Sequence, residues 1–168
     1  YSNDPRTHGS SNAYSNPGDI PAAVDVDNDG DLDIAMFGKD APYNYPRGYY
    51  FKNTGEGNFT LVDTLIGLRY SSNAWGDYDN DGDLDLFIGG RVLPTKWPMT
   101  PQSVILRNDR TKFTDVTSAV SPDFERCGMV TDLQWINVDS DPALELVACG
   151  EWMPLSIFKI KGGQIVNV

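Results

Sequence analysis

The sequence predicts an all-β chain made of β-propeller blades of four antiparallel strands, with three blades present. Three observations lead there. An acidic nonapeptide recurs: DVDNDGDLD at 25–33, DYDNDGDLD at 77–85 and the weaker NVDSDPALE at 137–145. Each copy is flanked by short apolar runs of strand length, four to a unit. No stretch carries a sustained helical period with caps, and four strands at a period of about 50 residues is the pattern of a propeller blade.

The elements follow in order. Ahead of each acidic loop stands a first strand, IPAAV, SNAWG or MVTDLQWI, and after it a second, LDIAMFG, LDLFIGG or LELVACG, ending at Gly38, Gly90 and Gly150. A third strand is YYFKN (49–53), SVILRN (103–108) or LSIFKI (155–160), and a fourth is FTLVDTL, FTDVTSA or QIVNV. The blades are thus expected at 19–70, 71–120 and 121–168. Residues 1–18, rich in Ser, Asn, Gly and Pro, read as an irregular leader or the remnant of a preceding element. Closed propellers have about 4–8 blades, so the favoured reading is a piece of a larger one, able to self-associate through open blade edges.

Composition narrows the function. The formal net charge is −11, which argues against nucleic acid as a partner. No run of 18 apolar residues is present, so no membrane insertion is expected. The chain begins at Tyr1 without a Met or a charged-then-apolar leader, which fits a processed or truncated protein. Cys127 and Cys149 border apolar runs and read as small buried residues rather than a disulfide framework. Asn58-Phe59-Thr60 has the form of a glycosylation sequon and is read as chance.

Thirteen of the 24 acidic residues fall inside the three nonapeptides, a concentration that suits ion binding better than general solubility. Calcium takes 6–8 oxygen ligands in flexible geometry, and carboxylates at positions 1, 3 and 5 of a tight loop converge on one point when a Gly at position 6 turns the chain. The first site is then Asp25, Asp27, Asp29, the carbonyl of Asp31, and Asp33. The second is Asp77, Asp79, Asp81, the carbonyl of Asp83, and Asp85. An EF-hand opens alike but needs Glu at position 12, where Met36 and Ile88 stand, and flanking helices. Magnesium prefers to keep its waters, and zinc lacks ligands, His8 being the only histidine. The third loop (Asn137, Asp139, Asp141, Ala143, Glu145) has Pro142 in place of the glycine and reads as a weaker or vacant site.

At these residues the sequence resembles the FG-GAP/VCBS repeat family, the calcium-binding propeller blades of integrin α-subunits and many secreted bacterial proteins. Phe37-Gly38 matches its "FG" and the DxDxDGxxD loops its metal site. GGRVLP, LRND with FTDVT, GMVTD and GEWMP are similar to bacterial VCBS proteins of the ASPIC/UnbV-associated, cartilage-acidic-protein-like type. The resemblance implies calcium at one face of the propeller and an extracellular, cell-surface or periplasmic setting. It implies no reaction.

Three functions are weighed. The first is a calcium-stabilised module recognising an extracellular protein or glycan, with the 91–102 insert carrying Trp97, Arg91 and Lys96 as the candidate contact surface. Trp75, Trp135 and Trp152 are instead read as blade core. The second is a purely structural unit of a filament or surface layer. The third, an enzyme, is disfavoured: no Ser–His or Cys–His pairing is available, and Asp123, Glu125 and Glu151 give no sign of converging.

Overall fold

A computed structural model describes residues 7–8, 20–40, 45–68, 71–93, 95–110 and 112–168. The described chain is all-β. The first sheet runs β2 (Ile20–Val24), β3 (Asp33–Asp40), β4 (Tyr45–Asn53) and β5 (Phe59–Ile66), each antiparallel to the next. The second contains β6 (Ser72–Gly76), β7 (Asp85–Gly89), β8 (Val104–Asn108) and β9 (Phe113–Asp115). The third contains β10 (Met129–Ile136), β11 (Glu145–Glu151), β12 (Ser156–Lys161) and β13 (Gln164–Asn167). Each is a four-stranded meander of the kind that forms a propeller blade.

Three details depart from the sequence reading. The leader is not wholly irregular: Thr7–His8 forms β1, which pairs antiparallel with β6, Thr7 opposite Gly76 and His8 opposite Trp75. The rest of the leader lies outside the described residues. The fourth strand of the middle blade stops at Asp115 instead of running on through Val116-Thr117-Ser118-Ala119. Two single-turn helices follow, α1 (Thr117–Val120) and α2 (Pro122–Glu125). Local chemistry explains the break. The Ser121 hydroxyl accepts from the Phe124 N–H and Pro122 opens α2, an N-cap followed by a ring that pre-sets φ. The Thr117 hydroxyl accepts from the Ile105 N–H at 2.8 Å, filling a place on β8 that a longer β9 would have occupied. Lastly, both cysteines are free, but only Cys127 is partly buried; Cys149 is exposed, against the expectation of burial. Among the described residues no helix is long and apolar enough to cross a membrane.

The core lies between the sheets, and the middle sheet supplies both of its halves. Period-two alternation sends Trp75, Leu86, Ile88, Val104 and Leu106 toward the first sheet, where they meet Val24, Ala35, Phe37 and Tyr50. The intervening Ala74, Phe87 and Ile105 face the third sheet, against Val130, Leu133, Trp135, Leu146 and Phe158. Edge-to-face aromatic pairs bridge both seams: Tyr50 on Phe113 at 5.7 Å in one, Phe87 on Trp135 at 5.1 Å in the other. Backbone hydrogen bonds also cross the seams, from the Leu84 N–H to the Val26 carbonyl and from the Val130 N–H to the Gly90 carbonyl, both 2.9 Å.

Candidate metal centre

Each acidic loop joins the first strand of its sheet to the second. Loops 1 and 2 share one internal geometry. Position 4 (Asn28, φ 55°; Asn80, φ 62°) and position 6 (Gly30, φ 95°; Gly82, φ 98°) are left-handed. Asn tolerates that region and Gly has no Cβ to oppose it. These two turns let the position-1 carboxylate accept two backbone N–H groups. Asp25 takes those of Asp29 and Gly30, each at 3.0 Å, and Asp77 those of Asp81 and Gly82 at 3.2 and 3.1 Å. Asp29 and Asp81 then accept from residues 31 and 83.

Position 9 is anchored most deeply. Asp33 and Asp85 are fully buried. Asp85 accepts the Tyr78 N–H at 3.1 Å and the Asn108 N–H at 2.8 Å, so one carboxylate ties the loop to the third strand. Asp33 does the same with Val26 and Asn53 and also accepts the Tyr50 hydroxyl at 2.9 Å. Replacing Asp85 by Ala strands two buried donors, which costs about 1–3 kcal/mol apiece at most sites. Asp85→Ala is therefore expected to destabilise the protein by about 2 kcal/mol or more whether or not a dication is supplied, read by denaturant unfolding in calcium and in chelator. A loss seen only in calcium would show that Asp85 acts through an ion alone.

Among the described residues, three carboxylate groups place their oxygens within 4.8 Å of one another: Asp25, Asp27 and Asp29; Asp77, Asp79 and Asp85; Asp139, Asp141 and Glu145. These groups are subsets of the ligand sets read from sequence: at that distance Asp33 is not among the loop 1 carboxylates and Asp81 is not among those of loop 2. The sequence reading has Asp31 and Asp83 act through their backbone carbonyls, and their side chains are engaged elsewhere or exposed: Asp83 pairs with Arg110 at 3.0 Å and Asp31 is exposed. Loop 3 keeps part of the design. Glu145 accepts the Val138 N–H and Asp141 the Ala143 N–H. Asn137, however, donates its amide to the Asp141 carbonyl at 2.5 Å, and Pro142 has no N–H to offer, so the position-1 clasp is missing.

Burial raises the position-9 carboxylates of loops 1 and 2 alike, Asp33 and Asp85, while lysines set loops 1 and 3 apart from loop 2. In loop 2 burial pushes Asp79 upward and Asp85 up to about 8, with neighbouring carboxylates adding to the rise. In loop 1 the Asp31 N–H and then Lys52 hold Asp29 below the usual carboxylate range. In loop 3 Lys159 does so for Asp139. Both lysines are correspondingly raised by those carboxylates. Asp27 Oδ1 is buried and has no hydrogen-bond partner, an acceptor that a cation or a water would satisfy. Hard oxygen donors, clustered charge and an orphaned oxygen fit a dication of the calcium type.

The aromatic candidates divide otherwise than expected. Trp75 and Trp135 are core, 1% and 8% exposed. Trp152, read as core, is 74% exposed and lies against Trp97, itself 61% exposed, with ring centroids 5.1 Å apart and planes at 59°. Met153 explains it. Its side chain packs against Gly128 and Gly150, which turns the preceding residue outward at φ 58°. Arg91 is ion-paired with Glu151 at 2.5 Å beside this aromatic pair, and Lys96 is exposed. No pattern in the sequence marks Trp152 as surface, because the left-handed turn that expels it is occupied by a tryptophan rather than a glycine.

No curated protein and no solved structure matches the chain. The family model described as FG-GAP-like repeat matches residues 25–88, a stretch that runs from the first acidic loop to the second strand of the middle blade and contains both intact loops.

Proposed function

We propose that the protein is a calcium-stabilised β-propeller module of a secreted or surface protein, and that it recognises an extracellular protein or glycan through the face bearing Trp97 and Trp152. The observation that carries the metal part is that loops 1 and 2 share the same left-handed turns and each brings three carboxylates together, positions 1 and 3 in both, joined by position 5 in loop 1 and position 9 in loop 2. The FG-GAP-like match spans these two loops and supports an extracellular setting. The GGRVLP and GEWMP phrases favour the VCBS type associated with ASPIC/UnbV domains.

The recognition part rests on strain. A non-glycine residue held in the left-handed region costs on the order of 1–3 kcal/mol, and such positions gather at functional sites. Trp152 is one of six described non-glycine residues in that region and the one with a large exposed aromatic side chain; Thr95, another, lies two residues before Trp97. A pair of solvent-facing indoles beside an Arg–Glu pair suits an apolar face with polar edges.

A second reading, an assembly unit, rests on β5, where Phe59, Leu61, Val62 and Ile66 are exposed on a blade edge. One experiment separates the two. A glycan array and an extracellular-protein pull-down are run in calcium with wild type, Trp97→Ala and Trp152→Ala. The recognition reading expects a ligand whose capture falls at least about tenfold in each variant, as for a hot-spot aromatic. No ligand in either assay, with a solution mass above that of one chain, favours assembly.

A further inference from the structure

The three blades carry a cation at one equivalent place on the third strand. Position 10 of each loop, Ile34, Leu86 and Leu146, pairs with Phe51, Leu106 and Phe158. The next residue along is Lys52, Arg107 and Lys159 respectively. The register therefore aims a basic side chain at every acidic loop, yet the three behave differently. Lys52 Nζ contacts Asp27 and lies 3.1 Å from Asp29. Lys159 Nζ contacts Asp139 and lies 3.2 Å from both Asp141 and Glu145, which are all three carboxylates of its cluster. Arg107 is ion-paired with Asp109 instead, its Nε 3.0 Å from Oδ1. It touches loop 2 at Tyr78 and its charge acts on Asp79, but among the described residues it forms no ion pair with a loop 2 carboxylate. Asp109 has no counterpart in the other blades, where Thr54 and Lys161 stand at the matching place.

We propose that Lys52 and Lys159 are internal counter-ions that rank the loops for calcium: loop 2 fills first, loop 1 only once Lys52 has swung out, and loop 3 is held by Lys159 in place of an ion. The proposal rests on the calcium reading and adds the order and number of ions. A lysine ammonium and a dication compete for one ring of carboxylates, because like charges close together repel and the ammonium occupies acceptor sites the ion would use. Loop 1 retains the buried Asp27 Oδ1 without a partner, so its lysine satisfies the cluster incompletely and is displaceable. Loop 3 lacks the position-1 clasp and keeps all its carboxylates on one ammonium.

The test is a calcium titration of the whole chain by isothermal calorimetry, alongside NMR of the lysine Nζ groups. Wild type is expected to bind two ions in two unequal steps, the tighter lost in Asp79→Ala and the weaker in Asp27→Ala. Lys52→Met should tighten the weaker step by about tenfold, since it removes a competing unit charge, while Lys52→Arg keeps it weak. Lys159→Met should add a third ion. In wild type the Nζ signal of Lys52 should shift at the second step and that of Lys159 should not. An unmoved weaker step in Lys52→Met overturns the ranking, and a count still at two in Lys159→Met overturns the role given to Lys159. Wild type that takes up no calcium at all removes the metal reading beneath both.

Discussion

Phe87→Ala is expected to destabilise the protein by about 3–5 kcal/mol, the range for truncating a fully enclosed aromatic. Phe87 has no exposed surface and makes edge contacts with Tyr78, Phe124 and Trp135. It belongs to the middle sheet but fills the seam with the third, so the loss acts on the joint between blades rather than on one blade. For a chain of this size the melting midpoint should fall by about 10 °C. Phe59→Ala, on the exposed face of β5, is the control and should stay within about 0.5 kcal/mol. Hydrogen exchange gives the sharper reading. Amides of β11 should lose protection in Phe87→Ala together with those of β7. Loss confined to β7 would mean that the sheets unfold separately and that the seam contributes little.

Calcium removal is expected to have an effect of similar size. Binding to the folded state alone contributes about 2.7 kcal/mol per site when the free ion is 100-fold above its dissociation constant. Chelation should then lower the melting midpoint by about 5–10 °C for each filled site. Asp79→Ala should reproduce the part due to loop 2 and remove its calcium response. Because Asp79 is exposed and its backbone contact, the Asp81 N–H, stays inside its own loop, unlike the tie of Asp85 to β8, the variant should melt near wild type once both are in chelator. A melting curve that chelator leaves unchanged would end the proposal that a dication holds these loops. Run beside Asp85→Ala, the pair of variants separates the loop's own hydrogen bonds from its ion chemistry.

Much of this architecture was legible because a repeat supplies its own control. Two copies of DxDNDGDLD in register fixed the strand–loop–strand unit, and the first strands IPAAV, SNAWG and MVTDLQWI match β2, β6 and β10 residue for residue. Failures came where a local hydrogen bond outweighs pattern. FTDVTSA has the β-branched content of a strand, but the Ser121 cap and the Thr117 hydroxyl turn its second half into helix. Trp152 has the composition of core, and only the packing of Met153 on Gly128 and Gly150 puts it outside. In the candidate site, spacing alone pointed to positions 1, 3 and 5, which come together in loop 1 as Asp25, Asp27 and Asp29, whereas loop 2 groups Asp77 and Asp79 with Asp85. The separate task of Asp33 and Asp85 did not, because their backbone partners sit on a strand about 20 residues away, at Asn53 and Asn108. The lysine contacts were hidden for the same reason: strand register, not sequence distance, brings Lys52 and Lys159 to the acids.

The clasp by which Asp25 and Asp77 hold their own turns has a kinetic consequence. Because those hydrogen bonds are intrinsic to the chain, the backbone of each turn is set without an ion, and a captured ion would have side chains rather than backbone left to arrange. Loop 1 is also fastened to the next leaf, because its Val26 carbonyl accepts from Leu84 of loop 2 and from the Asn108 amide, so an ion held in one loop would stiffen its neighbour as well.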